Sequence, residues 1–463
     1  MPKATRSTTA RVVFGICLAL VALLGGIGVY RAVTPSSGST LVILTSWTDQ
    51  GEADAFQAVA DAFMAESPDV HIDIEASRDE QEVLQSGLRD GDPPDLAVLP
   101  SPGELATYAA EGYLVPLDGL DAHAQSARLS AELHSDFGPM WNGVMDAGTQ
   151  HPYGLVVKAD VKSLIWYGPG LPAADKQAPP SSWDQLLALG SRIAAGGTAP
   201  WCVGLSDSST AGWPGTDWIE DILLQQDGPK VYNAWVEGRL PWNSPQVTAA
   251  WETWGQVMFG SGEVYGGALN ALSMPVSASD NAMFAPKPAA PGCDLSHGAL
   301  LETGAQVTPR AGTYGYFAFP GAATQHTYEV SADLMGMLRD TPQAEKFAVF
   351  LAGPDGQSIW PSRQLDSAFS AYDSQAAQAK LAPLYQKDGL AGGIEKILTS
   401  SANTLCYGAS DMMPPEMTAA FERAVMEYVA DPGNLHSILL GLERIRTTSY
   451  QGTPPLTACA SGN

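Results

Sequence analysis

The sequence predicts an α/β protein of two lobes, with a mostly parallel sheet covered by helices on both faces. Three observations carry this reading. The chain has 463 residues, beyond the ~250–300 at which a single hydrophobic core stops growing. Its first hundred residues past the N-terminal segment alternate strand-type and helix-type patterns, the order that gives parallel strands joined by crossover helices. After about Lys158 the joins become longer and richer in Gly and Pro, and seven of the twelve tryptophans fall between Trp201 and Trp254. A hydrophobic content of 45% with 16% charged residues supports a packed chain rather than disorder.

The N-terminus, "MPKATRSTTARVVFGICLALVALLGGIGVYRAV", sets Lys3, Arg6 and Arg11 before 19 uncharged residues, Val12 to Tyr30. As a helix that run spans ~28 Å, about one hydrocarbon core. Residues 1–35 are therefore read as a signal peptide or an N-terminal membrane anchor. An anchor is favoured, because Tyr30 and Arg31 interrupt the region where a small-x-small cleavage site would lie. Cys17 lacks the setting of a lipid-modified cysteine. The flanking positive charges place everything after Arg31 outside the cytoplasm.

After the linker "TPSSGST", "LVILTSW" reads as a buried strand. "GEADAFQAVADAFMAESP" is a helix with Phe56, Val59 and Phe63 on one face, stopped at Pro68. "DVHIDIEAS" alternates as a second strand, "DEQEVLQSGLRDG" is a second helix, and "DLAVLPS" a third strand. "PGELATYAAEG" is a helix with Pro at its start and Gly112 past its end. In such sheets ligands sit outside the carboxyl ends of the strands. Those ends carry Ser46-Trp47-Thr48, Ser77-Arg78-Asp79 and Pro100-Ser101. Taken singly, Asp79 is equally a helix cap and Trp47 a core ring.

The chain crosses to the second lobe near Lys158 to Ser163. In "SSWDQLLALGSRIAAGG" Ser182 is placed to cap a helix that turns Leu186, Leu187 and Ile193 inward. "EVSADLMGML" reads as a strand and turn returning to the first lobe. "TPQAEKFAVFLAGPDG" is a helix, the segment from Leu365 is read as helical, and Met417, Phe421, Val425 and Tyr428 share one buried helix face. The resulting division is 40–158 for lobe 1, 159–309 for lobe 2, 310–355 for the return to lobe 1, and 356–455 mainly for lobe 2 and hinge helices. Two or three crossings join the lobes. No repeat of 20 to 50 residues is present, which excludes solenoids and propellers.

Fifty acidic against 24 basic side chains give a formal charge of −26, which repels phosphate backbones and excludes nucleic acid as partner. Outside the first segment stand Cys202, Cys293, Cys406 and Cys459, an even number suited to disulfides in an oxidising compartment. Three pairings are open, as are free thiols. No metal-type spacing, hydrolase motif or phosphate-binding loop occurs, so no cofactor and no metal are expected.

Several long motifs resemble the extracellular solute-binding proteins of ABC-type carbohydrate importers (family 1 type), especially the large actinobacterial group. They are "PPDLAVLPSPGELATYAAEGYLVPL" (93–117), "YGLVVKADVKSLIWYGP" (153–169), "PWCVGLSDSSTAGWPGTDWIEDILL" (200–224), "PGCDLSHGALL" (291–301) and "SDMMPPEM" (410–417). The resemblance runs from about Thr40 to Arg444. It implies a periplasmic-binding-protein-like, venus-flytrap fold that closes on a mono- or oligosaccharide, and a monomer that delivers its ligand to a membrane permease. It also implies pairing of Cys202 with Cys293, leaving Cys406 with Cys459. The chain departs from the family in lacking a lipid-modified cysteine, in "MPVSASDNAMFAPKPAA" (274–290), which keeps only the Met-Phe pattern, and in "SADLMGML", which lacks the usual glycine-rich turn.

A sugar presents apolar C–H faces and a rim of hydroxyls, so its site needs flat rings with carboxylates and cations at fixed angles. On that chemistry the expected ligand-binding residues are Trp47, Arg78, Asp79, Asp95, Lys158, Trp166, Trp213, Asp217, Trp218, Asp333, Arg363 and Asp411. In "TAGWPGTDWIEDILLQQ" (210–226), Gly212 to Gly215 form a turn, Trp213 and Trp218 are platforms, and Asp217 accepts from hydroxyls. Ile219, Leu223 and Leu224 then face the core. Trp218 equally suits core packing, and Asp217 equally suits a helix N-cap, with Thr216 its competitor. Lys158 and Asp160 can pair on the surface. Arg363 and Asp411 rest on the resemblance. A secreted glycoside-active enzyme working through paired carboxylates is the competing reading.

Overall fold

Two β-sheets organise the computed structural model, which describes residues 39–48, 50–118, 133, 135–207, 210–260, 262–285, 292–301, 307, 309–310, 312–364, 368–372, 374–451 and 455–459. The signal or anchor reading of residues 1–35 lies outside these. Among the described residues no helix is long and apolar enough to cross a membrane. In chain order the strands are β1 (Ser39–Thr45), β2 (Val70–Ala76), β3 (Leu96–Leu99), β4 (Gly154–Val161), β5 (Leu164–Tyr167), β6 (Ala199–Trp201), β7 (Cys293–His297), β8 (Gly315–Ala318), β9 (Thr327–Met337) and β10 (Thr404–Tyr407).

The first sheet has the order β10-β9-β3-β1-β2, with β4 also on β9. β1 and β3 run parallel, Ile43 facing Leu96. The long β9 runs antiparallel to both β3 and β4, while β10 is parallel to it. The sheet is therefore mixed rather than mostly parallel. The cause is topological: β4 leads out of this sheet and β9 leads back into it, so the two neighbours must point in opposite directions. The second sheet, β6-β7-β5-β8, has β5 antiparallel to both β7 and β8.

Two connections pass between the sheets: Lys162 and Ser163 join β4 to β5, and residues 319–326 join β8 to β9. After β10 the chain continues through Gly408 into helices that pack against the helix Trp213–Val236. Residues Thr40–Asn463 form one compact unit.

The helices that matter for the site are α1 (Gln50–Glu66), α2 (Glu80–Asp90), α3 (Pro102–Ala110), α4 (Trp183–Ala195), α5 (Trp213–Val236), α6 (Pro245–Met258), α7 (Val276–Met283), α8 (Pro354–Arg363), α9 (Gln375–Tyr385), α10 (Gly389–Thr399), α11 (Ala409–Met412) and α12 (Pro415–Ala430). Phe56, Val59 and Phe63 of α1 are buried, as their spacing requires. Ser101 and Ser182 cap α3 and α4, accepting the backbone N–H of Glu104 and Gln185. Leu186 and Ile193 are buried, while Leu187 packs only partly.

α5 begins at Trp213 with Gly212 as its N-cap, so Gly212 to Gly215 are the cap and first turn of a helix rather than a separate turn. Gly212 has φ 110°, a conformation glycine adopts without steric cost. A Cβ there would also run into the carbonyl oxygen of Glu422. Asp217 lies inside this helix, which removes its reading as N-cap.

α8 packs on α1, α9 on α8, and α10 on β4, so these three helices stand beside the first sheet, with α10 also taking a hydrogen bond from Tyr316 of β8 at Leu390 O. The anchor is the Trp360 ring, edge-on to Trp47 at 4.6 Å between centroids. Residues 365–367 lie outside the described set; beyond them Phe369 and Tyr372 form bridges to Ala159 and Phe137, and helix resumes only at Gln375. The second sheet's side has an aromatic core in which Trp235, Trp242 and Trp251 pack around Phe421 of α12. Met417, Phe421, Val425 and Tyr428 are all buried. Disulfides join Cys202 to Cys293 and Cys406 to Cys459, the pairing the resemblance implies.

Candidate ligand-binding cleft

A cavity of about 760 Å³ is lined by residues from both sheets and from the connections between them. That volume suits a ligand the size of one to a few sugar rings. From the first sheet come Trp47 after β1, Arg78 after β2, Glu80 at the start of α2, Ser101 and Glu104 around α3, and Lys158 and Asp333 from paired positions of β4 and β9. From the other side come Trp166 on β5, Trp213, Asp217 and Trp218 on α5, and Asp280 on α7. Asp411 on α11 and Glu422 on α12 complete the wall.

Two buried lysines order the acids. Lys158 Nζ lies 2.9 Å from Glu52, 3.4 Å from Asp160 and 3.4 Å from Asp333. Trp47 Nε1 donates to Asp333 at 3.2 Å. Burial opposes the charge on Lys158, yet Asp160, Glu52 and Asp333 hold its pKa well above the usual range. Burial pushes Asp160 up to about 6, with Lys158 pulling the other way. This pair is buried, not the surface pair the sequence allows.

Lys162 Nζ lies 2.9 Å from Asp217 and 2.9 Å from Asp411. Burial raises Asp217 to about 7, opposed by Lys162 and assisted by Glu220 and Asp411. Glu220 accepts the backbone N–H of Ser410 at 3.1 Å. Next to Lys162, the Ser163 hydroxyl donates to Asp221 at 2.8 Å, and His297 Nε2 meets the other oxygen of Asp221 at 3.2 Å. Burial, with Glu220 and Asp221 nearby, holds Glu329 well above its ordinary range. Asp217, Glu220 and Glu329 bring carboxylate oxygens within 4.8 Å of one another. A lysine ammonium already neutralises Asp217 there, which disfavours a metal ion.

The rings divide by exposure. Trp213 is half-buried, its Nε1 donating to Asp207 at 3.2 Å. Trp166 is buried and donates to the carbonyl of Gly298. Trp218 is only 2% exposed and packs edge-on against Trp201 and Phe319. It therefore serves chiefly as core, and Trp213 is the open platform.

Of the twelve expected residues, nine line the cavity: Trp47, Arg78, Lys158, Trp166, Trp213, Asp217, Trp218, Asp333 and Asp411. Three do not. Asp79 is exposed, and its side chain does not cap α2. Asp95 is buried where its carboxylate accepts the Val42 N–H at 2.9 Å, tying β3 to β1. Arg363 is exposed at the end of α8. The sequence reading missed Glu80, Glu104, Lys162 and Glu422. Glu104 stood in plain view in "PGELA", three residues after a strand-end serine.

The family described as bacterial extracellular solute-binding protein matches residues 48–358. The alpha-glucosides-binding periplasmic protein AglE of Rhizobium meliloti (strain 1021) is 30% identical over 405 residues, covering 85% of this chain and 84% of that protein. The osmoprotective compounds-binding protein GgtB of Synechocystis is 30% identical over 343 residues, 73% of this chain and 77% of that one. Among solved structures, a chitin oligosaccharide binding protein has TM-score 0.68 at 16% identity, covering 89% of this chain and 99% of that one. RafE in complex with raffinose has TM-score 0.64 at 16% identity, covering 90% and 100%. These structures establish the two-lobed fold of a solute receptor. On the extent of the family match and of the AglE alignment, the chain belongs to the bacterial extracellular solute-binding proteins.

Proposed function

We propose that this protein is the extracytoplasmic sugar-binding component of an ABC-type importer, taking up a mono- or oligosaccharide between its lobes and handing it to a membrane permease. The observation that carries the reading is the cavity itself, where an open indole, Trp213, stands beside carboxylates held in place by Lys158 and Lys162. The indole stacks on the C–H face of a sugar ring and the fixed carboxylates accept from its hydroxyls. AglE, an alpha-glucosides-binding protein, and RafE, seen in complex with raffinose, support a glycoside as the ligand.

In this reading one lobe is built on the six-stranded sheet and the other on the four-stranded sheet, with the Lys162–Ser163 and Gly408 connections in the hinge. Ligand touches one lobe first, and contacts made only in the closed form shift the population toward it. A differential affinity of about 5.5 kcal/mol moves that equilibrium from 1:99 to 99:1. Residues 1–35 attach the monomer to the membrane or direct its export.

The test is a thermal-shift screen of mono- and oligosaccharides, α-glucosides included, followed by calorimetry and product analysis of each hit. The expected result is stabilisation without turnover, with Trp213→Ala weakening the best hit about tenfold or more, the worth of one stacked ring at ~1.4 kcal/mol. Turnover of a hit, or silence across the panel, overturns the proposal.

A further inference from the structure

Among the described residues, Glu80 and Glu104 of the cleft wall have no cation. Glu80 opens α2 and Glu104 lies in the first turn of α3. Both line the cavity, at 5% and 3% exposure. In each, Oε1 is buried without a hydrogen-bond partner. Among the described residues neither carboxylate forms an ion pair, whereas Glu52, Asp160 and Asp333 share Lys158, and Asp217 and Asp411 share Lys162.

The charges acting on this pair are acidic. After burial itself, Glu80 feels Glu104, Asp333 and Glu82. Burial raises Glu104 to about 7, opposed by hydrogen bonds from Tyr108 and Gln81 and assisted by Glu82, and burial with its acidic neighbours holds Glu80 well above its ordinary range. The wall is thus a buried carboxyl pair that lacks a partner of opposite charge among the described residues.

We propose that Glu80 and Glu104 form a subsite for an ammonium group, so that the preferred saccharide carries a free amine on the unit that reaches α2 and α3. This rests on the sugar-binding reading above. An ammonium supplies three donors and one positive charge, answering both unpartnered oxygens and the missing cation together. A hydroxyl supplies one donor and no charge. When the amine binds, Glu104, raised to about 7 by burial, releases its proton to solvent and meets the ammonium as carboxylate, because an opposite charge at contact favours the ionised acid. Hydrogen bonds between ionised partners are about twice as strong as neutral ones.

The probes are the disaccharide of two β-1,4-linked glucosamine units and its di-N-acetylated, uncharged counterpart, titrated into the full chain at pH 7 by calorimetry. The amine is expected to bind at least tenfold more tightly. Its heat should differ between phosphate and Tris buffers as a proton leaves Glu104. Glu80→Gln and Glu104→Gln, which keep the shape and mimic the protonated acid, should each bring the affinity ratio of amine to acetylated sugar towards one, with thermal melting reported for each variant. An acetylated sugar that binds as tightly as the amine, or a preference that survives both substitutions, overturns the subsite. If neither these two sugars nor any other saccharide binds, the sugar-binding reading falls with it; if neutral sugars bind and the amine does not, the subsite alone falls.

Discussion

Lys162 carries two acids at once: Asp217 is buried with it and Asp411 partly so. Removing one partner of a buried ion pair leaves an uncompensated charge, which costs about 3–5 kcal/mol. Lys162→Met is therefore expected to lower the unfolding free energy by about that amount, read as a lower urea midpoint with little change in m-value, whereas an unchanged midpoint would show the network to be dispensable. Asp217→Ala is expected to cost both sugar affinity and stability, since Asp217 is one side of this pair. How much of the site was legible is itself a matter of single residues. Asp79 and Arg363 were named, but Glu80 and Gln364 line the cavity. Side chains one position apart on a helix point about 100° away from each other, so an uncertainty of one residue at a helix end exchanges cleft for solvent. Lys162 left no pattern to read, because it sits in a two-residue connection whose surroundings come from α5 and α11.

Among the elements, α5 depends on its first residue. Gly212 combines a positive φ with close approach to the backbone of α12, so Gly212→Ala must both strain the cap and push α12 away. A loss of at least about 1–3 kcal/mol is expected, read as a lower melting temperature, with ligand affinity falling because Trp213 and Glu422 both line the cleft. A variant that melts like the parent would mean that the approach relaxes without cost. The alternating strands and helices up to α3 were legible because periods of 2 and 3.6 are local properties of the chain. The direction of β9 was not, since it follows from which sheet the chain has just left. Nor was the position of α8 to α10, which is set when Trp360 finds Trp47 and Phe56 far away in sequence.

Across the whole molecule the acids act together. Burial raises Glu422 to about 8, Glu104 and Asp217 to about 7 and Asp160 to about 6. Each holds its proton in the folded state to a higher pH than in the unfolded chain, so between about pH 4.5 and 8 the native state binds more protons. Stability then falls as pH rises through that window, by up to about 1.4 kcal/mol per unit for each group fully in transition. A net charge of −26 adds self-repulsion in the same direction. Melting temperatures should decline from pH 5 to pH 8 and Glu422→Gln should flatten the decline; a rise with pH would contradict the burial of these groups. The uneven exposure of the tryptophans has an optical consequence. Of the twelve, Trp213 stands half-open in the cavity, while Trp201, Trp235, Trp242, Trp251 and Trp254 are sealed in the core. The sealed indoles emit as a steady blue background, half-buried Trp183 adds a constant emission from outside the cavity, and Trp213 reports the polarity of whatever covers it. Intrinsic emission, excited selectively and read at its red edge, turns the unlabelled protein into its own ligand sensor.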